Sequence, residues 1–241
     1  MKGIYSDILE AVTQQKKLLA VLIDPDKFRS ENTKSFLKKI NASVATHIFV
    51  GGSEVEDHIT ESLVAAIKKY TSLPIVLFPG DITQITNKAD ALLFLSLISG
   101  RNPDYLIDKH VQAVSKLKQT QLEIIPTGYI LIENGKETAV QRVTRTQPML
   151  KNNRKLIANT ALAGEFLGMK LIYLEAGSGA IEAISNDIIS AVKQEVSLPV
   201  IVGGGIRSKK QMDEAYRAGA DMVVIGTAFE ENESFFRELI N

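Results

Sequence analysis

The chain contains no cysteine. That absence excludes disulfide cross-links, thiolate-bound zinc and a thiol nucleophile, and it suits a reducing compartment. Excess charge of either sign is also missing: Lys+Arg and Asp+Glu are 28 each, a formal net charge of +0. No global field therefore draws the protein to nucleic acid or to an anionic membrane. No stretch reaches the ~20 apolar residues of a membrane span, and the longest apolar run, residues 89–98, is interrupted by Asp90 and Ser96. The N-terminus lacks the apolar core of a signal peptide. A soluble cytoplasmic protein is expected. The His-Glu-x-x-His and Gly-x-Ser-x-Gly patterns do not occur, which argues against a zinc protease or an ordinary serine hydrolase. His47, His58 and His110 have no metal-binding spacing.

Eight short, nearly continuous apolar runs are present, at residues 18–23, 47–50, 74–78, 91–95, 122–125, 171–174, 199–202 and 222–225. Unbroken rather than alternating hydrophobicity predicts parallel strands buried on both faces. Helical spacing appears between them, as in residues 181–192. A helix is expected to begin at Asn102-Pro103-Asp104-Tyr105, with Pro103 in its first turn. Another should follow Ser208 as N-cap and stop at Gly219. The third connection is short, so its helix should be degenerate. Residues 127–159 are long and polar and should hold an extension of strand five and a mobile loop. Strand–helix alternation repeated eight times over 241 residues predicts an α/β fold, a single (β/α)8 TIM-like barrel spanning residues 1–241, in preference to an open doubly wound sheet.

In such a barrel, function gathers at the C-terminal strand ends. Strand one ends in Asp24-Pro25-Asp26-Lys27, strand two in Gly51-Gly52-Ser53, and strand three in Phe78-Pro79-Gly80-Asp81. The last three end in Tyr173-Leu174-Glu175-Ala176-Gly177-Ser178-Gly179, Gly203-Gly204-Gly205-Ile206 and Gly226-Thr227. Glycines let backbone N–H groups approach an anion, and the following helix N-terminus adds a favourable dipole. Several such loops at successive strand ends predict a phosphate cradle. A carboxylate there would repel the phosphate, so Glu175 is expected to address substrate hydroxyls, as acceptor or general base, or else to accept from loop amides. Tyr173 either packs in the barrel or binds a substrate oxygen. Asp24 with the Ser53 hydroxyl suits Mg²⁺, which takes few protein ligands; Asp24 could instead cap the Asp-Pro-Asp turn. Arg101, after strand four, is a candidate for diphosphate or for a subunit contact.

Taken together, Leu22-Ile23-Asp24-Pro25-Asp26-Lys27, Val50-Gly51-Gly52-Ser53, Phe78-Pro79-Gly80, the segment 95–103, Tyr173 to Gly179, Gly203-Gly204-Gly205-Ile206 and Ile225-Gly226-Thr227 resemble the geranylgeranylglyceryl phosphate synthases. That wider family includes the bacterial heptaprenylglyceryl phosphate synthases. The wording Ala176-Gly177-Ser178-Gly179 looks like the group found in many archaea and in Bacteroidetes-type bacteria. The resemblance implies transfer of a prenyl group, geranylgeranyl being the expected one, from its diphosphate to the 3-hydroxyl of sn-glycerol 1-phosphate, a step of ether-lipid synthesis. It implies Mg²⁺ on Asp24 and Ser53. It implies glycerol phosphate held by Tyr173, Leu174, Glu175, Ala176, Gly177, Ser178, Gly179, Gly204, Gly205, Gly226 and Thr227, with Glu175 catalytic. It also implies a homo-oligomer, dimeric or larger. Some relatives carry Asn in place of Thr227, and others carry Lys in place of Leu22, a phosphate contact that would be absent here. Two other readings stay open: a phosphate-barrel isomerase, epimerase or lyase, in which Asp24 and Asp81 would imitate an acid/base pair, and a catalytically silent barrel that binds a phosphometabolite.

Overall fold

The computed structural model describes residues 3–52, 55, 56, 58–226 and 233–240. Eight parallel strands close into a barrel in sequence order: β1 (Leu18–Ile23), β2 (His47–Val50), β3 (Ile75–Leu77), β4 (Ala91–Leu97), β5 (Glu123–Leu131), β6 (Leu171–Glu175), β7 (Val200–Gly203) and β8 (Met222–Ile225). Alternation along each strand sorts the side chains into two cores. In β1, Leu18 and Ala20 point into the barrel, while Leu19, Val21 and Ile23 meet the outer helices. Both faces are apolar, which is why the strands read as unbroken hydrophobic runs.

The outer ring comprises α2 (Thr33–Ala42), α3 (Ile59–Ile67), α4 (Lys109–Leu117), α5 (Ala139–Thr144), α6 (Arg154–Phe166), α7 (Asn186–Glu195), α8 (Lys209–Ala218) and a short C-terminal helix, Glu233–Glu238. One further helix, α1 (Ile4–Thr13), was not anticipated from the sequence. It closes the N-terminal end of the barrel by adding Ile8 and Ala11 to the inner core, and the N–H groups of Ile4 and Tyr5 donate to the Glu123 carboxylate at the start of β5. The helix after β3 is reduced to a single 3₁₀ turn, Ile82–Gln84, as its short connection predicted.

Three local expectations need adjustment. β5 continues to Leu131, but the rest of residues 127–159 is more than a loop. It carries α5, capped by Thr138 accepting from the Gln141 amide, and the start of α6, capped by Asn153. α7 begins at Asn186 rather than 181, because residues 180–185 complete the loop after β6; Ile181 is 60% exposed and Ser185 is extended. The helix following Pro103 opens as a π-turn, Asp104–Asp108, before continuing as α4. Ser208 and Gly219 bound α8 as expected, with Ser208 accepting from the Gln211 amide.

Candidate active site

The barrel mouth is floored by aromatic rings. The Phe78 ring stacks on Tyr173 with centroids 5.2 Å apart, and Tyr129 lies 5.9 Å from Phe78 and 5.4 Å from Tyr173. Tyr129 and Tyr173 are register partners on β5 and β6. Two residues further along β6, Glu175 points inward, level with Leu131 on one side and Gly203 on the other.

Glu175 is buried, 5% exposed. Burial disfavours its ionised form and lifts its pKa to about 7, although the Gly177 amide, donating to Oε1 at 2.6 Å, and the nearby hydroxyls of Tyr173 and Tyr129 oppose that rise. Burial and the same carboxylate push both phenols well above their ordinary value. The Tyr173 hydroxyl is buried without a hydrogen bond of normal geometry; its influence on Glu175 is that of a nearby dipole. An unpartnered buried hydroxyl at a cleft wall is a place where a ligand oxygen gains a hydrogen bond at no competing cost.

Glycine is required in two places beside this carboxylate. Gly204 has φ +83°, and a Cβ there would lie 2.6 Å from Glu175 Oε1 and 2.7 Å from the Gly177 nitrogen. Gly177 has φ +100°, and its Cβ would lie 2.2 Å from a Thr138 methyl. The loops after β6 and β7 therefore interlock backbone to backbone. Arg207 fastens them further, its guanidinium donating to the carbonyl of Ala180 at 2.7 Å.

Asp24 stands across the mouth at the end of β1. Its carboxylate pairs with Lys27 at 2.8 Å and accepts from the Asp26 amide at 3.2 Å. These contacts match the turn-capping reading of the residue, and Asp24 also lines the cleft. Asp81, at the end of β3, is tied to Lys109 of α4. Partial burial pushes the Asp81 carboxyl up, but Lys109 and the Thr83 and Ile82 amides outweigh it and hold it below its usual value. Both candidate members of an isomerase-type pair are thus engaged with lysines.

One cleft of about 970 Å³ joins these features. At one end it is lined by Asp24, Glu175, Ser178, Gly179, Gly204, Gly205 and Gly226. At the other it is lined by Ile82, Ile85, Leu92, Phe94, Ala113, Val140 and Val143. The apolar end exists because the third helix is missing. With only a 3₁₀ turn after β3, the outward faces of Leu92 and Phe94 on β4 are left for a groove between that turn and α4. His110 borders it, edge-on to Phe94 at 4.3 Å.

The sequence-derived site residues are thus largely brought together. Leu174 differs from its neighbours: its side chain belongs to the outer core, and it is not part of the cleft lining. Ala176 and Gly177 contribute to the loop framework rather than the cleft wall. Arg101 donates to the carbonyl of Gly100 at 2.6 Å and is not part of the cleft lining. Ser53 and Thr227 lie outside the described residues. Tyr129 was missed, although its period-two spacing from Ile125 within an extended β5 could have shown it facing inward. The groove residues carry no local signal, since they are ordinary apolar side chains until the fold exposes them to a common space.

Fold and site together define a class: a (β/α)8 barrel with one amphipathic cleft, glycine-walled at the mouth and apolar where a helix is absent. The chain belongs to the PcrB family, whose sequence pattern matches residues 10–241. It is 59% identical over 233 residues to a geranylgeranylglyceryl phosphate synthase of Flavobacterium johnsoniae, covering 97% of this chain and 96% of that protein. A synthase of the same name from the archaeon Thermococcus gammatolerans is 40% identical over 219 residues, covering 90% of this chain and 86% of that one. The crystal structure of (S)-3-O-geranylgeranylglyceryl phosphate synthase from Thermoplasma acidophilum, in complex with its substrate sn-glycerol-1-phosphate, superposes with a TM-score of 0.92 at 32% identity, covering 99% of this chain and 96% of that one.

Proposed function

We propose that this protein is a prenyltransferase that joins a prenyl group, geranylgeranyl in the first instance, to the 3-hydroxyl of sn-glycerol 1-phosphate with release of diphosphate, a step of ether-lipid synthesis. The observation that carries the reading is the cleft itself. A buried carboxylate of raised pKa stands beside a glycine wall suited to phosphate, in a space that continues into an apolar groove suited to an isoprenoid chain. The names of the relatives, and the glycerol phosphate bound in the Thermoplasma structure, support the same assignment.

In this reading the allylic C–O bond of the donor breaks and diphosphate leaves with the electron pair. The glycerol oxygen forms the new ether bond to the allylic carbon, and its proton passes to a Glu175 carboxylate oxygen. A free alcohol is far too weak an acid for Glu175 to ionise beforehand. Its proton becomes acidic only as the oxygen bonds to the cationic carbon, so a base with a pKa of about 7 is well matched to the task. Tyr173 and Tyr129 lie beside the carboxylate, while Gly204, Gly205 and Gly226 with Ser178 and Gly179 present the glycine wall to the phosphate.

Asp24 fits a magnesium ion that it would share with the donor's phosphates. Its carboxylate lines the cleft and is held at the strand end by Lys27 and the Asp26 amide; Mg²⁺ takes few protein ligands when phosphates and water complete its shell. When bound, the ion supplies positive charge against the developing diphosphate. Ser53 belongs to the same proposal by sequence. A cytoplasmic location, expected from the sequence, and a homo-oligomeric state, implied by the family resemblance, belong to the proposal as well, and sedimentation would give the subunit count. No helix among the described residues is long and apolar enough to cross a membrane.

The test is to incubate the protein with Mg²⁺, labelled sn-glycerol 1-phosphate and donors from ten to thirty-five carbons, and to follow label into an organic phase. Transfer establishes the reaction and the best donor its chain length. Binding of glycerol phosphate without transfer from any donor would refute the assignment in favour of a silent phosphate-binding barrel.

A further inference from the structure

We infer that Gln84 is a positioning residue, which sets the strand-two end of the cleft against Asp24 and thereby links the apolar groove to the place where the leaving group is held. The inference rests on the reaction proposed above. Gln84 lies in the 3₁₀ turn that replaces the third helix, and it is 1% exposed. Its amide reaches across to β2 and grips both polar backbone atoms of one residue: Nε2 donates to the Gly52 carbonyl at 2.7 Å, and Oε1 accepts from the Gly52 N–H at 3.2 Å. A primary amide is the side chain that can donate and accept at once in this geometry.

Gly52 in turn lies against Asp24, since a Cβ at Gly52 would be 2.6 Å from Asp24 Oδ1. Backbone and carboxylate are thus in direct contact, and a shift of Gly52 displaces Asp24 or opens a gap beside it. The same short turn presents Ile82 and Ile85 to the groove on either side of Gln84. It is pinned to α4 by Lys116, whose ammonium donates to the Ile82 carbonyl at 3.1 Å. A chain that fills the groove presses on Ile82 and Ile85 and so bears on the residue that holds Gly52. Partners that orient a ligand without touching the reacting atoms are routinely important to metal and phosphate sites.

Gln84→Leu keeps the volume and removes both hydrogen bonds. With the full-length protein and Mg²⁺, kcat/KM for the prenyl diphosphate is expected to fall roughly ten- to a hundred-fold, with affinity for sn-glycerol 1-phosphate unchanged. Calorimetric binding of inorganic diphosphate in the presence of Mg²⁺ should weaken in parallel. A merely structural role would lower both substrates' binding alike, together with the melting temperature. Native-like diphosphate binding and turnover, or an equal loss for glycerol phosphate, overturns the inference. Should Gln84→Leu fail to fold, Gln84→Glu decides it. The introduced carboxyl donates to the Gly52 carbonyl only when protonated, so diphosphate affinity relative to the native protein should recover as pH falls; a flat ratio overturns the proposal. If the native protein itself transfers no prenyl group, the reaction is wrong, while the diphosphate comparison still decides the role of Gln84.

Discussion

Glu175 shows how far a single residue can be read. Its place at a strand end among glycines is visible in the chain; its burial is not. Enclosure by Tyr129, Tyr173 and the Gly177 loop turns an ordinary carboxyl, whose usual value is 4.5, into one with a pKa of about 7. Because the folded value is raised, the protonated form is favoured by folding. The associated stability is fully present below about 4.5 and is lost as pH rises through about 7. Glu175→Gln should therefore gain on the native protein by up to about 3 kcal/mol between about pH 5 and about pH 8, measured by denaturant unfolding at both. The same substitution should abolish most turnover while the fold persists. Native activity should rise with pH through about 7 as the base ionises; a near-normal rate in the Gln variant would remove Glu175 from the chemistry. Gly204→Ala tests the neighbouring wall. Its φ of +83° and the 2.6 Å approach to Glu175 should cost about 1–3 kcal/mol in unfolding free energy and most of the affinity for sn-glycerol 1-phosphate, measured by calorimetry.

At the scale of elements, the missing third helix matters most. A 3₁₀ turn in its place leaves Leu92 and Phe94 facing a groove bounded by α4 and α5. The brevity of the connection was legible in the sequence, but its consequence was not, because a gap in the helical ring exists only once the other helices are docked. Ala113, 4% exposed, lines that groove from α4. Ala113→Phe should narrow it and move donor preference to shorter chains. Burial of each CH₂ is worth about 0.8 kcal/mol, so each five-carbon unit excluded should reduce donor affinity by up to about 4 kcal/mol; an unchanged donor profile would place the chain elsewhere. The short α5 and the late start of α7 escaped the sequence reading for a related reason. Both flank loops whose course is dictated by the cleft, where Ile181 is exposed and Val140 and Val143 turn inward.

For the whole molecule, ligand binding and stability are linked. A ligand that binds only the folded barrel adds RT ln(1 + [L]/Kd), about 2.7 kcal/mol at a hundredfold excess over Kd. In a domain of this size that raises the melting temperature by roughly 5–10 °C. Saturating sn-glycerol 1-phosphate should produce such a rise in a thermal melt, and the mirror-image glycerol phosphate a smaller one. Equal shifts would mean that the site reads phosphate alone.

The sequence by itself determined the strands, their parallel order and the strand-end motifs from Asp24 to Gly226, because continuous apolar runs and glycine-rich ends are local consequences of burial on both faces and of close backbone approach. It determined the family as well, since those motifs are read residue by residue. Only the tertiary structure decided that α1 plugs the barrel, that Tyr129 and Tyr173 enclose Glu175, that Gln84 grips Gly52, and where the apolar groove runs. Each of these depends on contacts between residues far apart in the chain, and no local pattern of hydrophobicity or spacing encodes which distant side chain will fill a given space.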